Sequence, residues 1–219
     1  MKNDIGVMIN KANKVDGLCL LDNVNNIAIK TAFFDPQYRG VLDKLRYGNE
    51  GEGRGKARHD LPQMSEELII EFIRKLNNVI TPGGHLFLWL DKFHFCQGIL
   101  DWLIGTAFCI VDMIVWDKQK MGMGYRSRRQ CEYLVILQKK PIRAKGCWKS
   151  HNIPDIWAEK VAKIHPHSKP VLLQKALIEA TTDIGDYVLD PAAGGYSVFE
   201  ACKLCGRNFI GGDIQYGED

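Results

Sequence analysis

Residues 188–195 read Val188-Leu189-Asp190-Pro191-Ala192-Ala193-Gly194-Gly195, and Asp213 follows 19 residues beyond Gly194. A buried strand, an acid, a turn of small residues and an apolar helix over 198–205 form a familiar layout. In a Rossmann-like sheet it brings a ligand to the backbone at a helix N-terminus. An acid at the end of the next strand is where the ribose hydroxyls of an adenosine cofactor are held. Small residues alone would also serve a tight β–α turn without a ligand; the acid at this distance favours a nucleotide. Position adds a second constraint. Only one strand, over 208–214, can follow this turn. A sheet with its nucleotide site near the middle must therefore take its other strands from upstream, so the order is permuted relative to a dinucleotide dehydrogenase.

Upstream, 27–34 reads as a buried strand that ends at Asp35-Pro36. Ser65 opens a helix whose first turn carries Glu66 and Glu67 and whose apolar face is Leu68, Ile69, Phe72, Ile73 and Leu76. Thr81-Pro82-Gly83-Gly84 is a stop, followed by a buried strand over 86–90 and a helix over 93–103. Strands over 108–116 and 132–138 flank a basic connection with Gly122 and Gly124 and read as a hairpin with a long tip. Pro170 opens a helix that runs to about residue 180. Strands alternating with helices predict an α/β fold with a mostly parallel sheet covered on both faces, plus the antiparallel hairpin.

The 219 residues suit one domain spanning 1–219, and 46% hydrophobic content is ordinary for a globular chain. No apolar run reaches the roughly 20 residues of a membrane span, and Met1-Lys2-Asn3-Asp4 does not begin a secretory signal, so a cytoplasmic location is expected. Seven scattered cysteines do not suggest a disulfide framework. Cys202 and Cys205 have CxxC spacing, but no second pair completes a zinc site, and they read as small apolar residues on a helix. The net charge of +3 hides an asymmetry: residues 118–149 hold ten Lys and Arg against the single acid Glu132, and residues 39–59 hold six against three. A face that binds a polyanion needs such clustering, although a solvated loop would show it too.

Taken together, these blocks resemble the β class of S-adenosylmethionine-dependent DNA amino-methyltransferases over roughly residues 17–40 and 65–216. Asp35-Pro36-Gln37-Tyr38 resembles the family's catalytic tetrapeptide, usually Asp-Pro-Pro-Tyr in adenine enzymes and Ser-Pro-Pro-Tyr in cytosine-N4 enzymes. Gly83-Gly84, Trp116 with Lys118 and 132–139, His165-Pro166-His167-Ser168-Lys169-Pro170, and the cofactor turn with 209–214 resemble further family blocks in the β-class order. The resemblance implies a circularly permuted Rossmann-like methyltransferase fold. It also implies transfer of a methyl group from S-adenosylmethionine to N6 of adenine in double-stranded DNA. Asp35, Pro36, Gln37 and Tyr38 would hold the base. Asp190, Pro191, Ala192, Ala193, Gly194, Gly195 and Asp213 would hold the cofactor. His165, Ser168 and Lys169 would support its methionine end, with Ser168 or Lys169 on its carboxylate or Lys169 anchoring the helix start. Two departures stand out. Gln37 occupies a proline position, and Ala192 with Tyr196 replaces a phenylalanine and a glycine, which predicts an altered cofactor affinity.

An aromatic amine is a poor nucleophile because its lone pair is delocalised. Hydrogen bonds to the Asp35 carboxylate and the Pro36 carbonyl would localise that lone pair, with no metal or covalent nucleophile needed. The base must be flipped out of the duplex, and Tyr38 would stack on it, worth about 1–3 kcal/mol. Phosphate contacts are expected from the loop over 39–62 through Arg39, Arg46, Arg54, Lys56 and Arg58, and from the hairpin tip through Arg126, Arg128 and Arg129. The region 118–164 combines that tip with a minimal target-recognition stretch containing Trp148, His151 and Trp157, which predicts a short or relaxed recognition sequence. A homodimer and a cognate restriction enzyme fit the resemblance. Cytosine-N4 or RNA amino-methylation and a catalytically impaired DNA-binding module are the alternative readings. Asp35 disfavours the cytosine reading, and retention of Asp35, Tyr38, Asp190 and Asp213 together opposes the impaired one.

Overall fold

The computed structural model describes residues 8–24, 26–37, 64–122, 126–161 and 168–218. Tyr38, His165 and the 39–62 loop with Arg39, Arg46, Arg54, Lys56 and Arg58 lie outside them. Eight strands form one sheet in the order β1-β8-β7-β2-β3-β5-β4-β6. They are β1 (Asn13–Lys14), β2 (Ile29–Phe34), β3 (Ile80–Leu90), β4 (Phe108–Asp117), β5 (Cys131–Lys139), β6 (Ile156–Ala158), β7 (Tyr187–Asp190) and β8 (Asn208–Asp213). The helices are α1 (Gly17–Asn23), α2 (Glu66–Val79), α3 (Lys92–Gln97), α4 (Val171–Thr181) and α5 (Ser197–Cys205). The early strand β2 pairs in parallel with the late strand β7, Ala32 opposite Leu189, as the permuted order requires. Among the described residues only β5 runs antiparallel to its neighbours, between β3 and β4.

Alternation along the central strands builds two cores. Ala32, Phe34, Leu86, Leu88, Leu90, Leu189 and Ile210 face one layer, with α1 and α2. Phe33, Phe87, Trp89, Val188 and Phe209 face the other, with α4 and α5. A strand buried on both faces needs apolar residues at successive positions, which is why β2 and β3 read as apolar runs. Ser65 Oγ caps α2 by accepting from Leu68 N–H at 3.2 Å, and Ile69, Phe72, Ile73, Leu76 and Val79 fill its inward stripe. Pro170 brings no capping side chain to α4. Glu159, beyond β6, reaches back to accept from Leu172 and Leu173 N–H, each at 3.0 Å.

Two sequence expectations are corrected here. Thr81-Pro82-Gly83-Gly84 does not separate helix from strand: β3 starts at Ile80, directly after α2. The turn residues bulge within the strand, where the pairing jumps from Ile29↔Ile80 to Thr31↔His85. The helix expected over 93–103 is two pieces, α3 and a 3₁₀ turn over Leu100–Leu103, because Gly98 at φ 89° ends the first. Trp148 and Trp157 belong to the stretch expected to serve target recognition. Both lean on the second core, and β6 adds a short parallel edge to β4. Three elements escaped the sequence reading: β1, β6 and the seven-residue α1. The Asp16 cap on Leu18 and Cys19 N–H marks α1, and Gly17 is required at its start because a Cβ would sit 2.1 Å from the Pro191 carbonyl oxygen. No helix among the described residues is long and apolar enough to cross a membrane.

Candidate active site

β7 continues outward to β8, whereas β2 continues through α2 to β3 on its other side. The crevice at the carboxyl ends of β2 and β7 is therefore a topological switch point, the place where α/β sheets bind ligands. A cleft opens there, lined by residues from the ends of both strands. Asp35, Gln37, Asp190, Ala192, Ala193, Gly194, Gly195, Asp213 and Lys169 all line it. The expected base-holding and cofactor-holding groups thus meet in one cavity. Pro36 and Pro191 are buried at its edge, and Ser168 is half-buried beside Lys169.

The cofactor turn is held by its own carboxylates. Asp190 accepts from Ala192 N–H at 3.2 Å. Asp213 accepts from Gly194 N–H at 3.2 Å through one oxygen, and from Gln215 and Tyr216 N–H at 2.8 and 3.0 Å through the other. Burial pushes the Asp190 carboxyl up to about 8, against the Ala192 N–H, with the charges of Asp35 and Asp213 adding to the rise. Three acids round one cleft favour a cationic ligand.

Several cleft residues were not read from the sequence. Phe33, Trp89, Val198 and Ile214 supply apolar wall, in place of the phenylalanine that Ala192 lacks. Trp89 Nε1 and Gln174 Oε1 are buried without a hydrogen-bond partner among the described residues, and both residues line the cleft. Buried polar atoms left so are costly, and a ligand with polar groups of its own would satisfy them. Gln174 was detectable as a polar residue among Leu173, Leu177 and Ile178 on one helix face. Met64 N–H donates to the Gln37 carbonyl at 2.6 Å, so the two ends of the 38–63 segment meet at the cleft.

Tyr196 behaves differently from the expectation. Its backbone takes the left-handed conformation, φ 56°, that the glycine of related turns adopts without strain. Its side chain turns away from the cleft, placing the hydroxyl 2.8 Å from the carbonyls of Asn13 and of Tyr216. The residue ties the chain's two ends together and leaves the cleft lining unchanged.

Because β5 is antiparallel, the β4–β5 tip and Glu132 lie at the same end of the sheet as the cleft. Lys92 at the start of α3 donates to Ser127 Oγ at 2.9 Å, drawing the tip toward the end of β3. Arg126 and Arg128 are exposed on it, with Arg128 Nε donating to the Gly122 carbonyl at 2.7 Å. Arg129 is not a solvent-facing cation like its neighbours. Its guanidinium lies over the Phe93 ring at 5.7 Å, with Nε and Nη2 buried and without a hydrogen-bond partner among the described residues. Lys169, expected at the cofactor, is held between Asp35 Oδ2 at 3.0 Å and Glu132 Oε2 at 2.8 Å. Burial opposes its charge, yet Asp35 and Glu132 outweigh it and hold the ammonium well above the usual lysine range.

The sequence profile described as DNA methylase, of the N6/N4 methyltransferase family, matches residues 29–218. The Type II methyltransferase M.HhaII of Haemophilus parahaemolyticus is 58% identical over 213 residues, covering 96% of this chain and 93% of that protein. M2.DpnII of Streptococcus pneumoniae is 27% identical over 66% of this chain and 61% of its own length. The crystal structure of an M1.HpyAVI–SAM complex superposes with a TM-score of 0.69 at 19% identity, covering 94% of each chain. The cytosine-N4-specific PvuII DNA methyltransferase gives 0.69 at 13% identity, over 96% of this chain and 86% of that one. These two structural likenesses establish the shared fold.

Proposed function

The chain belongs to the N6/N4 family of DNA methylases, and from that premise we propose that it transfers a methyl group from S-adenosylmethionine to N6 of an adenine flipped out of duplex DNA. The observation that carries this reading is the convergence of Asp35 with Asp190, Gly194, Gly195 and Asp213 on one cleft at the switch point. The donor set suits the cofactor: acids for a cation, apolar walls from Phe33 and Val198, and two orphaned polar atoms that a ligand would satisfy.

S-adenosylmethionine supplies a methyl group already activated on a sulfonium. The chain's residues then have three tasks. Asp213 and the Gly194–Gly195 backbone hold the nucleoside end, and Asp190 favours the cationic end. Asp35 accepts a hydrogen bond from the exocyclic amine, the Pro36 carbonyl accepts a second, and Tyr38 stacks on the base. The two acceptors concentrate the nitrogen lone pair toward the methyl group, so positioning and preorganised charge carry the rate. Asp35, where cytosine-N4 enzymes of the family usually carry serine, supports adenine as the substrate. Similarity to Type II methyltransferases supports a role beside a restriction endonuclease that reads the same site. Transfer of labelled methyl to unmethylated duplex DNA tests the assignment. Asp35→Ala is expected to lower transfer by about 100-fold or more while cofactor binding persists. An active variant would contradict the role of Asp35.

A further inference from the structure

Lys169 sits at the junction of four strands. Its ammonium touches Asp35 at the end of β2 and Glu132 at the start of β5, and it lies 5.0 Å from the centre of the Trp89 ring on β3. Lys118, just after β4, donates to the other oxygen of Glu132 at 3.1 Å. Each Glu132 oxygen is thus taken by a different lysine. Lys169 is only 13% exposed, so it cannot leave for a ligand without stranding two part-buried carboxylates. Asp190 and Asp213 line the same cleft, and Lys169 sets a positive charge beside Asp35 among these acids.

The geometry points to Lys169 as a positioning residue for Asp35, fixed in place by Glu132 and Lys118, with no part in gripping the cofactor carboxylate. This rests on the reading that Asp35 receives the amine. The clamp sets the direction in which the Asp35 carboxylate faces the base. Glu132 shares the ammonium with Asp35, so Asp35 retains the electron density an acceptor needs. Sequence alone hides the arrangement, because Asp35, Glu132 and Lys169 are far apart along the chain.

The test compares Asp35→Ala, Lys169→Met, Lys169→Arg and Glu132→Gln in the full chain. It measures single-turnover transfer to duplex DNA, with S-adenosylmethionine binding followed by calorimetry. Lys169→Met is expected to lose about 100-fold in the transfer rate, because the Asp35 carboxylate is no longer held in its direction. Its cofactor affinity should stay within about threefold. Lys169→Arg should restore most of the rate, and Glu132→Gln should lose about tenfold. If Lys169→Met instead weakens cofactor binding tenfold or more and leaves the transfer rate at saturating cofactor unchanged, Lys169 serves the cofactor and the clamp is wrong. Wild-type rates in Lys169→Met and Glu132→Gln beside a dead Asp35→Ala overturn the clamp alone. A fully active Asp35→Ala overturns the catalytic reading beneath it.

Discussion

The backbone N–H of Gly194 donates to Oδ2 of Asp213 across 3.2 Å, joining the turn after β7 to the end of β8. The same carboxylate orders Gln215 and Tyr216, which line the cleft. Asp213→Ala therefore removes three backbone hydrogen bonds together with the acid proposed to hold the ribose. It should cost about 1–3 kcal/mol of stability and weaken S-adenosylmethionine binding by roughly tenfold or more. Thermal melts with calorimetry would check both, and an unchanged affinity would move the ribose contact elsewhere.

Asp190, lifted to about 8, holds its proton at neutral pH. A cationic cofactor beside it favours the carboxylate, so binding should release close to one proton below that pH. Affinity should rise toward about pH 8 and then level. The same group makes the cofactor-free protein less stable as pH climbs from about 4 to 8, because only the folded state keeps the proton. Binding heats measured in buffers of different ionisation enthalpy report the proton, and buffer-independent heats would refute the account of Asp190.

On the acid side two groups act in the opposite direction. Burial lowers His85 to about 4. Burial raises Glu132, but Lys169 and Lys118 overcome it and hold the carboxyl at about 2. Both folded values lie below the unfolded ones. Stability from His85 is complete above about pH 6.5 and lost as pH falls toward 4, and that from Glu132 is lost between about pH 4.5 and 2. His85→Leu should flatten the decline in melting temperature between about pH 6.5 and 4. A decline of unchanged steepness would show that His85 does not set it.

Arg126 and Arg128 are exposed on the hairpin tip, whereas Arg129 is tucked over Phe93. Duplex binding should weaken steeply with salt, and Arg126→Ala or Arg128→Ala should each reduce the slope of log K against log salt by about 1. Arg129→Ala should mainly destabilise the tip through lost ring packing. Equal slopes in the wild type and both exposed-arginine variants would remove the tip from the DNA interface.

The central strands were legible because burial on both faces forces apolar runs, as in β2 and the end of β3. The cofactor turn was legible because small residues between an acid and a helix have few other uses. What escaped depends on contacts distant in sequence. α1 is too short for periodicity and is visible only through Asp16. Trp148 was read only as part of the recognition stretch, because nothing local shows that it leans on Phe87 and His85. The contact of Lys169 with Glu132 was hidden because the two lie 37 residues apart. The direction of the Tyr196 side chain was hidden because sequence does not reveal which way a left-handed residue points it.

The most direct test of the proposed chemistry is the identity of the modified nucleoside. Unmethylated duplex DNA is incubated with the protein and labelled S-adenosylmethionine, digested to nucleosides and resolved chromatographically. The account predicts label in N6-methyladenosine of the deoxy series and none there with Asp35→Ala. Label in N4-methylcytosine, or DNA binding without any transfer, would contradict it.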